Sequence, residues 1–141
     1  MDLTNKKCVL IINEELPAGI IANIASVLSI TLGDKIRGLV GPDVTDRQGS
    51  LHPGLTQLPI PVLGAPASDI KSLRESFKTK EGDSNFIADF TTFAGMAKTY
   101  EEYSSALESA DAQEINYLGI AVLSDKKTLN RLTKGLSLIG D

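Results

Sequence analysis

Few side chains in this 141-residue sequence could do chemistry: one histidine, His52, one cysteine, Cys8, and scattered carboxylates, amides and threonines. His52 lies in Ser50-Leu51-His52-Pro53, and a loop histidine can act as a general base. Its place before a proline, in the most loop-rich stretch of the chain, fits a surface role better. Cys8 opens the apolar run Cys8 to Ile12. A reactive thiolate needs an accessible, electropositive setting, so this thiol is expected to be buried and inert. One cysteine cannot make an internal disulfide or a multi-cysteine cluster, and a zinc site would have to rest on carboxylates. Asp43 and Asp46 lack the further oxygen ligands and distal glutamate of an EF-hand loop, so they are expected to stabilise turns. No Gly-x-Gly-x-x-Gly, no phosphate-cradling Gly-x-x-x-x-Gly-Lys-Ser/Thr and no Gly-x-Ser-x-Gly elbow occurs. No metal site and no cofactor are expected.

What remains is a set of polar residues at the ends of apolar runs. In open α/β sheets, ligands collect beyond the carboxyl ends of the strands. Those ends carry Asn13, Glu14 and Glu15, then Asp43, then Asp89, Thr91 and Thr92. Asn23 projects from the rim of the first helix. Two readings stand: these groups cap helices and anchor turns, or they converge on a small-molecule site. For the second reading the candidates are Asn23, Asp89, Thr91, Asn13 and Asp43. Between the two leading residues, Asn23 is expected to be structural and Asp89 functional.

The elements that must position them follow from periodicity. Cys8 to Ile12 is apolar on both faces and reads as a central strand covered on each side. Pro17 suits a first helical turn, and Ile20, Ile21, Ile24, Val27 and Leu28 mark a helix ending at Gly33. Ile36 to Val40 reads as a short second strand, followed by a loop-rich stretch with a turn at Asp46-Arg47-Gln48-Gly49. Pro61 to Ala65 is a third strand. Ser68 caps a helix that buries Ile70, Leu73 and Phe77 and turns Lys71, Arg74, Glu75 and Lys78 to water. A polar turn, Lys80 to Ser84, leads to a fourth strand, Phe86 to Phe90. Thr99 and Glu102 have capping-box spacing, opening a helix with Tyr103, Ala106, Leu107 and Ala110 on its core face. Tyr117 to Leu123 is a fifth strand. Asp125 caps a last basic helix, and the Leu136 to Ile139 tail is expected to dock as an edge strand. The expected fold is a single α/β domain over 1–141, a three-layer α/β/α sandwich around a mixed, mostly parallel sheet of four to five strands.

Composition narrows the partners. Net charge is −4 with Lys+Arg 14 against Asp+Glu 18, and no basic face is concentrated enough for nucleic acid, so that partner is disfavoured. The longest apolar stretch, Gly19 to Gly33, is broken by Asn23, Ser26, Ser29 and Thr31 and falls short of the ~20 residues a membrane span needs. Without a secretory pattern, a reducing cytoplasm is the expected location. Small residues Ala22, Ala25, Ser26 and Ser29 on the first helix allow a close second contact, and a homodimer is expected from them.

The order of these segments resembles an uncharacterised bacterial family, the domain-of-unknown-function family two thousand, whose fold is that of the type-II peptidyl-tRNA hydrolases. The matching stretches are Lys7 to Ile12 with the Asn23 helix, Val40 to Asp46, Ile60 to Leu63, Ala88 to Thr91, Tyr100 to Tyr103 and Tyr117 to Ala121. Type-II hydrolases carry Gly-Lys-Ile-Ala-Ala-Gln and then His-Ala in the first helix. Here the run is Gly19-Ile20-Ile21-Ala22-Asn23-Ile24, with isoleucine at the lysine and glutamine positions and Val27 at the histidine. A later Asp-Ala-Gly-x-Thr motif corresponds to Asp89-Phe90-Thr91, keeping the aspartate. Losing the cation that would meet developing charge argues against that activity. The resemblance therefore implies a small-molecule-binding or accessory domain without peptidyl-tRNA hydrolase activity. The alternative is a hydrolase-like enzyme with altered active-site residues.

Overall fold

A computed structural model describes residues 2–78 and 85–140, so the expected polar turn at 80–84 lies outside the described residues. The first strand, β1 (Lys6–Asn13), is the apolar run that opens with Cys8, and its residues from Cys8 to Ile12 are almost fully buried. Helix α1 (Ala18–Lys35) follows Pro17, whose carbonyl accepts from the amides of Ile20 and Ile21, both at 3.0 Å. The next strands are β2 (Val44–Thr45), β3 (Leu51–His52) and β4 (Val62–Ala65). After them come α2 (Ala67–Lys78), β5 (Phe86–Thr91), α3 (Thr92–Met96) and α4 (Tyr100–Glu108). A 3-10 turn at Ala112–Glu114, β6 (Tyr117–Asp125) and α5 (Lys126–Leu132) complete the order.

The main sheet has the order β4-β1-β6-β5, and β2 and β3 form a separate hairpin. Only β1 and β4 pair in parallel; β1–β6 and β6–β5 are antiparallel. The expectation of a mostly parallel sheet is therefore corrected. Strands β4, β1 and β5 do run the same way, as helical crossovers require. Strand β6 then inserts between β1 and β5 in the opposite sense and makes both of its pairings antiparallel. Its sequence could not show this, because a strand covered on both faces is apolar throughout whichever way it points.

Side chains alternate across the sheet. Cys8, Leu10 and Ile12 share a cluster with Ile24, Leu28 and Leu32 of α1, while Val9 and Ile11 meet Ile70 and Phe77 of α2 and Leu129 of α5. Each fully buried Leu or Ile contributes roughly 1.5–3 kcal/mol of hydrophobic stabilisation. Gly119 of β6 lets α1 approach: a Cβ there would lie 3.0 Å from Ile24 Cγ2 and 3.2 Å from Ile12 Cγ1.

Four local expectations shift. Ile36 to Val40 is not a strand, because α1 continues through Gly33 to Lys35 and the chain then folds Ile36 and Leu39 beneath the helix. Gly38, at φ +86°, makes that turn, and only Val40 forms a single bridge, to Thr56. Ser68 falls inside α2, which begins at Ala67. Asp125 stands at the cap position of α5 without capping it, since its carboxylate binds Lys6 Nζ at 2.7 Å. The tail does dock on the sheet edge: Ser137 O accepts from Gly64 N, and Ile139 N donates to Val62 O, both at 3.0 Å. No helix among the described residues is long and apolar enough to cross a membrane.

Burial pushes the Cys8 thiol up to about 12 from an ordinary 9.0. Below pH 9 both folded and unfolded chains keep the proton. Between pH 9 and 12 only the unfolded chain ionises, so this group's stabilisation is lost as pH rises, by up to ~1.4 kcal/mol per pH unit. Urea unfolding of wild type and Cys8→Ala across pH 7–11 should show the steeper alkaline loss in wild type. Equal slopes would mean the thiol is not buried. In the same molecule the amides of Val9–Ile12 and Ile120–Leu123 should exchange slowest.

Candidate functional site

Strand β5 is a sheet edge, and the chain beyond it builds a wall. Thr91, 1% exposed, caps α3 by accepting from Ala94 N at 3.2 Å. Thr99 then caps α4, accepting from Glu102 N at 3.1 Å, while Glu102 reaches back to accept from Lys98 N at 2.9 Å. This is the expected capping pair, with the glutamate reaching one residue further back than in a standard box. The two caps fix the starts of α3 and α4, which face α1.

Between them lies a cavity of about 430 Å³. Helix α1 supplies Asn23, Val27 and Thr31, β5 supplies Asp89 and Phe90, and the far wall is Ala94, Ala97 and the Lys98–Tyr100 corner with Tyr103. Tyr100 and Tyr103 meet edge to face, with ring centroids 5.5 Å apart. A second hollow of about 400 Å³ shares Asn23 and Phe90 and continues past Ile20, Met96 and Leu118. The register shift in β6 opposite Phe90 and Thr91 belongs to this architecture. It reverses the alternation, so Leu118 packs toward α1 and Tyr117 packs toward α2.

Asp89 points to the α2 side of the sheet, opposite its neighbours Ala88 and Phe90. There its Oδ2 accepts from Arg74 Nη2 at 3.2 Å, with the two side chains only 19% and 23% exposed. Arg74 is thus not turned to water as the helix pattern implied. Its guanidinium lies 5.0 Å over the Tyr117 ring and also binds Glu75. Burial works against the Arg74 charge, but Tyr117, Asp89 and Glu75 outweigh it and its pKa is raised. Burial, reinforced by Asp89 and Tyr100, likewise raises the Tyr103 pKa, so the phenol is a neutral hydrogen-bond donor at pH 7.

The structure thus brings Asn23 and Asp89 to one cavity and leaves the other candidates apart. Asn13 accepts from Glu15 N at 3.0 Å and Asp43 from Gly54 N at 2.9 Å, both as loop anchors, and Thr91 is spent on its cap. His52 is exposed and contacts Asp46 at 2.8 Å across the hairpin turn. No three His, Cys, Asp or Glu side chains among the described residues are grouped to hold a metal ion. Sequence reasoning missed Lys98, Tyr100 and Arg74 as members of the site and took Tyr103 for core. The capping spacing at Thr99 was the one available signal that a corner with exposed side chains stood there.

The two residues differ in the bonds they make. Asn23 is exposed and its amide has no partner among the described residues, whereas Asp89 holds a half-buried cation. Asp89→Ala should cost roughly 1–3 kcal/mol by removing the less exposed of the two carboxylates that Arg74 binds, and Asn23→Ala should fall within about 0.5 kcal/mol of wild type. Urea unfolding at pH 7 measures both, and equal losses would contradict the geometry.

The comparisons with other proteins agree with this arrangement at the level of fold and family. A protein of unknown function from Agrobacterium tumefaciens strain C58 has a similar solved structure, with a TM-score of 0.84 at 15% identity, covering 95% of this chain and 97% of that one. Among curated proteins, none matches the sequence. The model of the family described as Protein of unknown function (DUF2000) matches residues 6–139. With all but the outermost residues matched and the α/β fold shared, the chain belongs to the DUF2000 family.

Proposed function

We propose that this domain binds a small molecule in the groove between α1, β5 and the α3–α4 corner, and that it does not hydrolyse peptidyl-tRNA. The observation that carries the reading is the cavity of about 430 Å³, within the size range of ligand sites. It combines apolar and aromatic walls with a few polar groups free to bond: the Asn23 amide, the Tyr103 hydroxyl and the Lys98 ammonium. The ligand would be flat and partly apolar, with hydrogen-bonding atoms at its rim.

We further propose that the fold is that of the type-II hydrolases, a three-layer sandwich. Supporting this, α1 lies on one face of the sheet, and α2 and α5 lie on the other. In addition, Asn23 and Asp89, from the two segments that resemble the hydrolase motifs, line the same cavity. At those positions Ile20, Ile24 and Val27 offer neither a cation nor a base. The competing reading, an enzyme rebuilt around Asp89, asks a second role of a carboxylate already bound to Arg74.

The test is a thermal-shift and native-mass screen of purified protein against small-molecule libraries. A ligand at about 100 times its Kd should stabilise by ~2.7 kcal/mol. Asn23→Ala and Tyr103→Phe should abolish that shift while leaving the free protein's Tm unchanged. A ligand whose shift survives both substitutions would place binding elsewhere. Peptidyl-tRNA turnover should stay at background, and a rate like that of a genuine hydrolase would overturn the proposal.

A homodimer through the outer face of α1 belongs to the same reading. The helix carries no charged side chain before Asp34, yet Ile20, Val27 and Ile30 are exposed, Ile30 to 73%. An uncharged helix face with exposed aliphatic side chains suits an interface, because the cores of homodimer interfaces are depleted of charge. Light scattering should report two chains for wild type and one for Ile30→Glu. A monomeric wild type at high concentration would refute it.

A further inference from the structure

We infer that the ligand of the α1 groove is amphipathic, with an aliphatic tail that lies in the adjoining hollow of about 400 Å³. The inference rests on the reading of the groove as a binding site and adds the class of molecule that fills it. The two hollows share Asn23 and Phe90 and lie end to end along one flank of α1. Ile20, Asn23, Ile24, Val27 and Thr31 follow one another at the three- and four-residue steps that keep side chains on one side of a helix. From Ile20 to Thr31 the helix rises about 16 Å, at ~1.5 Å per residue. A compact molecule fills one hollow, and an elongated one reaches both.

The two halves differ in chemistry. Beside Thr31 the lining includes the Asn23 amide and the Tyr103 hydroxyl, both donors, with Lys98 at the corner and the Tyr100 ring against Tyr103. Beside Ile20 the polar lining residues are Asn23 and Thr92, and the other walls are apolar, from Ile20 and Ile24 across Phe90 to Met96 and Leu118. Asn23 thus stands where an apolar trough becomes a polar one.

Two features keep the apolar half open. Gly95 has no side chain to close it: a Cβ there would lie 3.1 Å from Leu118 Cδ1 and 3.7 Å from Phe90 Cε1, both on the hollow's walls. Ile20 and Met96 stand on its rim, 47% and 81% exposed. An alkyl chain lying between them would bury apolar surface on both, and the unbranched thioether of Met96 adapts its shape to what it covers. A polar tail would lose its water there and gain almost no partners. The donors at the other end call for acceptors, so the head is a ring that carries a carboxylate or carbonyl.

The experiment is calorimetric titration of the full chain with 4-methoxybenzoate and 4-butoxybenzoate, with amide NMR shifts locating each ligand. Three methylenes separate the two, and full burial of each would tighten binding about fourfold. In a hollow open on one side, the butoxy compound should bind about tenfold more tightly, with its added shifts at Gly95, Met96 and Leu118. Gly95→Leu, which fills the hollow, should bring that ratio to about one. Tyr103→Phe should weaken both ligands and keep the ratio. Ile20→Ser, at an exposed position, should lower the ratio too, and it serves as the check if Gly95→Leu disturbs the amide spectrum elsewhere. A ratio near one in wild type, or one that survives both substitutions in the hollow, would overturn the tail site and leave the groove standing. Binding of neither benzoate, when another compound shifts Asn23 and Tyr103, would overturn the ligand class alone. A groove that takes no compound would overturn both readings.

Discussion

The structure depends on one pairing, the antiparallel ladder between β1 and β6. Its register runs from Lys6 opposite Asp125 to Ile12 opposite Gly119, and it is covered on both faces. Every hydrophobic cluster contains residues from both strands, so neither helical face can pack unless this pair is in register. A slip of one residue would send Cys8, Leu10 and Ile12 to the α2 side and Val9 and Ile11 to α1. It would also part Lys6 from Asp125, whose bond closes the ladder at its open end. Gly119 sets the other end, since only a missing side chain lets Ile24 of α1 settle on the sheet.

The groove is a consequence of where that ladder stops being regular. The register shift opposite Phe90 and Thr91 turns Leu118 toward α1 and Tyr117 toward α2. On one face this gives the second hollow a wall. On the other it places a ring under Arg74, and Arg74 in turn takes the Asp89 carboxylate. One local irregularity thus shapes an apolar floor and commits the nearest carboxylate to structure. The remaining walls are the α1 rim, seated on the core through Ile24, Leu28 and Leu32, and the α3–α4 corner, whose helices start at side-chain caps.

Most polar residues that the sequence marked are explained by backbone accounting. Asn13, Asp43, Asp46, Thr91 and Thr99 each accept from main-chain amides that a turn or helix start would otherwise leave bare. Asn23 has no such duty. Its amide is unengaged among the described residues and lines the aromatic-walled cavity.

The sequence by itself determined where the chain is apolar on both sides, where it turns and where helices begin. Cys8 to Ile12, the Pro17 start, the Thr99–Glu102 cap and the Asp46–Gly49 turn are set by contacts within a few residues, and local chemistry suffices to read them. The direction and insertion of β6, the refolding of Ile36 to Leu39 beneath α1 and the capture of Asp89 by Arg74 were decided only by the tertiary structure. Each joins segments far apart in the chain, and a residue's type does not say which distant neighbour will reach it. Asp125 shows the difference in one side chain. Its place before a helix reads as a cap, yet the carboxylate goes to Lys6, because the partly buried ammonium of Lys6 needs a counter-charge more than an exposed amide needs a cap.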